Sequence, residues 1–193
     1  DATGYGHGGH KPQHIDKHTN TNIMETTTVK LYSFEYRQAK TYGTAALFVL
    51  GNIALPQLFH LIPQGGVMWL PIYFFTLVGA YKYGWRVGLL TALASPLANS
   101  LLFGMPAVAA LPAIMLKSTL LALAAGFTAA RFKRVTLPLM AAVVAAYQII
   151  GTLGEWAIVG ELNAALQDFR IGLPGMLLQI FGGWAVIRYI IRK

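Results

Sequence analysis

Read for hydropathy alone, the chain is a series of long apolar runs separated by short polar connections. A membrane-spanning helix needs about 20 mostly apolar residues, and fewer where the bilayer thins or flanking side chains snorkel. Six runs reach or approach that length: residues 41–60, 67–81, 85–103, 106–130, 135–156 and 171–190. The second, bounded by Gly65-Gly66 and Tyr81-Lys82, is the shortest. The pattern predicts an all-α, polytopic membrane protein. A bundle of six transmembrane helices occupies residues 36–193, preceded by a flexible histidine-rich segment over residues 1–35.

Composition agrees: 55% of the 193 residues are hydrophobic and 11% charged, against roughly 25% charged in a soluble domain. The formal charge is +8, yet from Gly43 to Ala130 only Lys82, Arg86 and Lys117 are charged. The basic excess therefore sits in clusters between apolar runs, which is a topology signal and argues against nucleic acid as a partner. Lys30, Arg37 and Lys40 precede the first run, and Lys82 and Arg86 lie in the second connection. Arg131, Lys133 and Arg134 lie in the fourth, and Arg188, Arg192 and Lys193 close the chain. The first and third connections have no lysine or arginine, and the fifth sets Glu155, Glu161 and Asp168 against Arg170. This alternation predicts both termini in the cytoplasm. Without cysteine there are no disulfides, thiol catalysis or thiolate metal sites.

The start lacks a charged segment followed by an apolar one, so no signal peptide is expected there. His7, His10, His14 and His18 would share one face of a helix and could hold a divalent metal. Gly8, Gly9 and Pro12 oppose such a helix, and the stretch reads more simply as a tag ahead of Met24.

Polar residues inside the runs are biased towards the outer half. His60, Trp69, Tyr73, Asn99, Met105, Glu155 and Trp156 fall near the predicted outer ends; Asn52, Lys117, Gln148 and Gln179 lie deeper. That bias predicts a pocket open to the exterior. Lys117 stands alone in an apolar helix, where a lysine costs about 2.5–3.5 kcal/mol unless it pairs, faces the bundle interior or lines a water-filled cavity. Three readings stay open. It pairs with Glu155, the carboxylate available within the bundle, or with carbonyls and Gln148; it meets an anionic group of a ligand; or it snorkels to the inner interface. Trp69 fits an interfacial aromatic belt, whereas Pro63 and Gly65-Gly66 would also make the preceding loop a lid with aromatic surface beneath it. Small residues at Ala39-xxx-Gly43, at Gly79 and over 122–130 serve either internal packing or docking of another membrane subunit. No nucleophile elbow, zinc-protease helix, Walker loop or paired carboxylates within the spans occurs, so no enzymatic activity is expected.

The six short spans, the Gly-rich first loop, the small residues on the first helix and the sequence YKYGWRVGLLTALASPLANSLLFGMP (81–106) together resemble the substrate-binding S component of an energy-coupling factor (ECF) vitamin transporter. The similarity covers about residues 36–192, and Tyr83-Gly84-Trp85-Arg86-Val87-Gly88 is its most specific part. The resemblance implies a protein of the prokaryotic cytoplasmic (inner) membrane that captures a vitamin or related micronutrient from outside. A transmembrane coupling subunit and two ATPases would drive release; ATP would be used by those partners, and this chain would carry no cofactor. It implies a pocket closed by the first loop, fitted by His60, Gln64, Trp69, Tyr73, Asn99, Met105, Lys117, Gln148, Glu155 and Gln179, and a docking face at Ala39, Gly43 and Ala46. Aromatics and amides around one lysine suit a compact, partly planar ligand with hydrogen-bonding edges, and the lysine leaves room for a carboxylate on it. His60 and Met105 also leave room for a metallo-tetrapyrrole, cobalamin or haem. The alternative is a membrane scaffold similar to rod-shape-determining proteins, with Lys117 paired internally and the outer half packed solid.

Overall fold

The computed structural model describes residues 29–191. The four N-terminal histidines and the terminal Arg192 and Lys193 lie outside them. The described residues are helical, with no strand. Five helices are long and apolar enough to cross a membrane: α1 (Ala39–Phe59), α4 (Trp85–Phe103), α5 (Leu111–Phe132, preceded by a 3-10 turn at Val108–Ala110), α6 (Leu137–Val159) and α9 (Leu173–Ile190). Two short helices, α7 (Leu162–Ala165) and α8 (Gln167–Arg170), join α6 to α9, whose geometry turns π-helical over Leu178–Gly182 and Val186–Ile190.

The second predicted run differs from a simple span. It forms α2 (Gly65–Trp69), a 3-10 turn (Pro71–Tyr73) and α3 (Phe74–Tyr83), with a break at Leu70. Pro71 disfavours right-handed helical backbone at the residue before it, and Leu70 adopts a left-handed conformation, φ +46°. The ten residues of α3 rise only about 15 Å. They nevertheless form the most enclosed helix: every residue from Phe74 to Lys82 except Phe75 is buried, against α1, α4, α5 and α9. A helix walled by protein is apolar on all sides without needing length to face lipid. The outer helices instead expose leucines and isoleucines such as Leu47, Leu50, Leu101, Ile149 and Leu153, as a lipid-facing surface requires.

Capping chemistry sets the ends. Thr136 accepts a hydrogen bond from the Leu139 amide at the start of α6, with Pro138 in its first turn. Gly104 and Gly160 end α4 and α6 in left-handed backbone. Close approach uses glycine too: a Cβ on Gly88 would strike Ala80 and press on Ala122, and one on Gly126 would strike the Trp85 backbone. The small residues over 122–130 thus serve internal packing, as does Gly79 against Phe48. Asn52, fully buried, ties three helices: its amide donates to Thr76 and Ser95 at 3.1 and 3.2 Å, and its Oδ1 accepts from the Phe75 amide at 3.0 Å.

Antiparallel alternation gives the bundle a basic end, with Lys40, Lys82, Arg86 and Arg131, and an acidic end, with Glu155, Glu161 and Asp168. Residues 29–34, part of the segment expected to be flexible, lie along the basic end. The Tyr32 and Phe34 amides donate to the Lys82 and Tyr83 carbonyls at 2.8 and 3.0 Å, and Tyr32 stacks on Tyr83 with ring centres 5.7 Å apart.

Candidate functional site

Lys117 lies two turns inside α5 from the acidic end and is 2% exposed. Its Nζ donates to Asp168 Oδ2 at 2.7 Å and forms an ion pair with Glu155 Oε2. The expected Glu155 pairing is therefore present, and a second carboxylate joins it that the sequence places only in a connection. The lysine stem passes over Gly151 of α6, where a Cβ would stand 2.6 Å from Lys117 Cγ.

Beside the triad, Gln148, Thr152 and Glu155 recur at helical spacing on the α6 face that Gly151 opens to Lys117. Gln148 is fully buried and neither end of its amide has a partner; Thr152 Oγ1 also has none. Tyr147 donates to Gln179 Oε1 at 2.9 Å, leaving Gln179 Nε2 unpartnered. The Tyr73 and Tyr147 rings are 5.7 Å apart.

A separate cavity of about 630 Å³ opens between the end of α1, residues 62–67, Pro71–Ile72, the 104–107 turn and Ile114. It is mainly apolar, and His60, Gln64, Asn99 and Met105 line it. Asn99 donates to the backbone carbonyls of Asn52 and Ser95, both at 2.9 Å, and its Oδ1 is unpartnered.

Nine of the ten predicted site residues therefore fall into two groups, and the ten do not line one pocket. Tyr73, Lys117, Gln148, Glu155 and Gln179 form the polar cluster, while His60, Gln64, Asn99 and Met105 line the apolar groove. Trp69 belongs to the strap between them: it stacks on Phe59 at 5.3 Å, and its backbone packs on Gly175 at the start of α9. Residues 65–73 thus present Val67, Pro71 and Ile72 to the groove and Tyr73 to the cluster.

Sequence reading missed Asp168, Tyr147 and Thr152. The signal for Asp168 was the length of the connection after α6, enough to fold back over the bundle. Ala39, Gly43 and Ala46 are exposed on α1, with nothing within 4 Å of a Cβ on Gly43. Among the described residues, no three or more histidines, aspartates or glutamates gather as metal ligands. Comparison with protein-family models, curated proteins and solved structures gives no match for this chain.

Proposed function

We propose that the chain is the S component of an ECF-type importer, capturing a small vitamin-like molecule at the acidic end and passing it to a separate ATP-driven module. The observation that carries the reading is Gln148, a fully buried amide with neither end partnered, beside an ion triad inside an apolar bundle. A purely structural network satisfies its members, because each buried orphan costs about 1–3 kcal/mol. A network with hydrogen bonds left unmade suits a molecule that completes it.

In this reading residues 65–83 supply the sixth crossing, and both termini face the cytoplasm of a prokaryote. The strap over 65–73 is the lid, hinged at Gln64 and Leu70, two non-glycine residues in left-handed backbone. The exposed face at Ala39, Gly43 and Ala46 meets the transmembrane coupling subunit, and the two ATPase partners hydrolyse ATP. No catalytic role falls to the chain itself.

One observation favours the scaffold instead: Lys117 is paired internally, as that reading requires. Against it stand the orphaned amides and the 630 Å³ cavity at an end that a scaffold would pack solid. Native mass spectrometry of the detergent-purified chain, with thermal-shift screening against vitamins and tetrapyrroles, separates the two. Capture predicts a bound small molecule, or a ligand adding about 2.7 kcal/mol of stability at a hundred times its Kd. Silence across the panel favours the scaffold.

A further inference from the structure

We infer that the molecule captured at the Lys117 cluster is a small organic cation, a protonated amine or a heteroaromatic quaternary nitrogen. The inference rests on the capture reading and assigns its substrate class.

Charge is the first reason. One ammonium faces two carboxylates, so the triad is formally left at −1. The nearest further cation in sequence, Arg170, does not supply the balance: it lines another depression with Asn163, Gln167 and Ile171. Among the described residues, Glu155 and Asp168 form salt bridges with Lys117 alone. An anionic ligand would add a third negative group to the cluster, whereas a cation restores neutrality.

The unpartnered atoms are the second reason. Glu155 Oε2 is engaged by the Lys117 ammonium, so the unfilled positions beside the triad are those of the Gln148 amide and the Thr152 hydroxyl. Gln148 has both its amide nitrogen and its carbonyl oxygen unpartnered, a donor and an acceptor group side by side as the edge of a heterocycle would use them. Glu155 and Asp168 keep 20% and 15% of their side-chain surface exposed, so the acidic rim is within reach from that end of the bundle. Lys117 then acts as an internal stand-in, holding the carboxylates until a second cation shares them.

The test uses the full chain in detergent with thiamine and choline as cationic probes, riboflavin as a neutral one, and nicotinate and biotin as anionic ones. Calorimetry and thermal shift are expected to show a cationic probe binding at least about 100-fold more tightly than any anion, the difference expected when coulombic attraction to the carboxylates is gained on one side and repulsion on the other. Glu155→Gln keeps the Lys117 to Asp168 bond and is expected to weaken the cation by about 10-fold. Glu155→Asp keeps the charge and is expected to retain the preference, and size exclusion with circular dichroism establishes that both variants fold. In the double variant Glu155→Gln with Asp168→Asn the cluster carries +1, and preference is expected to move to the anions.

An anion that binds wild type more tightly than the cations overturns the cation assignment and leaves capture standing. Cation binding that Glu155→Gln does not weaken also overturns it. If no probe binds but native mass spectrometry finds a co-purified molecule, its charge decides. If none binds and no molecule co-purifies, the capture reading falls and the assignment falls with it.

Discussion

Two lysines are buried in this bundle, and they are held in opposite ways. Lys82, at the basic end of α3, is fully buried yet has only neutral partners: its Nζ donates to the Lys30 carbonyl at 2.5 Å and lies 5.4 Å from the centre of the Tyr32 ring. Lys117, at the acidic end, has two carboxylates. A lysine whose stem fills a core and whose head finds a carbonyl and an aromatic face is accounted for by packing. One carboxylate would likewise account for Lys117. The second exceeds what neutrality needs, and it stands beside amides that have no partners. Excess charge and orphaned polar atoms together are what set the Lys117 cluster apart from the Lys82 contact.

The strongest test of that contrast is Lys117→Met. It removes the only cation of the triad and leaves two carboxylates in a largely enclosed place, so a loss of about 3–5 kcal/mol in unfolding free energy is expected. Glu155→Gln in the same chain should recover part of the loss, giving a coupling energy in a double-mutant cycle measured by thermal unfolding in detergent. A Lys117→Met protein as stable as wild type would mean that the carboxylates do not depend on the lysine, and the contrast between the two cations would collapse.

Lys82→Met should cost less, about 1.5–3 kcal/mol, the range for a hydrogen bond from a charged donor. No carboxylate is stranded, so no neutralising second change should rescue it. Its effect should be local: the Tyr32 and Phe34 amides, bonded to the carbonyls of residues 82 and 83, should exchange hydrogen faster while amides of 65–73 keep their rates. Rescue by neutralising Glu35, the acidic residue of the adjoining segment, would show an electrostatic role that the geometry does not contain.

The two ends were unequally legible in the sequence. Span boundaries came out within a few residues because apolar length is a direct record of bilayer thickness, and the five long helices follow them. Lys117 stood out for the same reason, as a charge in an apolar run. Its second partner did not: Asp168 is 51 residues away on a two-turn connection, and nothing local distinguishes a carboxylate that folds inward from one in solvent. The break at Leu70 was hidden because leucine carries no mark of left-handed backbone, although Pro71 was a hint. The division of ten candidates between groove and cluster was illegible for a deeper reason. Depth along the membrane orders residues along one axis, and the strap of 65–73 separates them across it.

The smallest expected effect probes that strap. Gln64 is exposed with φ +57°, a conformation that costs an L-residue about 1–2 kcal/mol and glycine almost nothing. Glycine also adds freedom to the unfolded chain, which offsets part of the relief. Gln64→Gly should therefore stabilise by about 0.5–1 kcal/mol net. Leu70→Gly should not, because its side chain is buried and packs towards Gly172, so the lost contact outweighs the relief. If residues 65–73 move as a lid over the Lys117 cluster, hydrogen exchange in Gln64→Gly should slow there and stay unchanged at Tyr32 and Phe34. Slowing shared equally by both ends would make the bundle one cooperative unit, and the difference between the two lysines would then be one of chemistry alone.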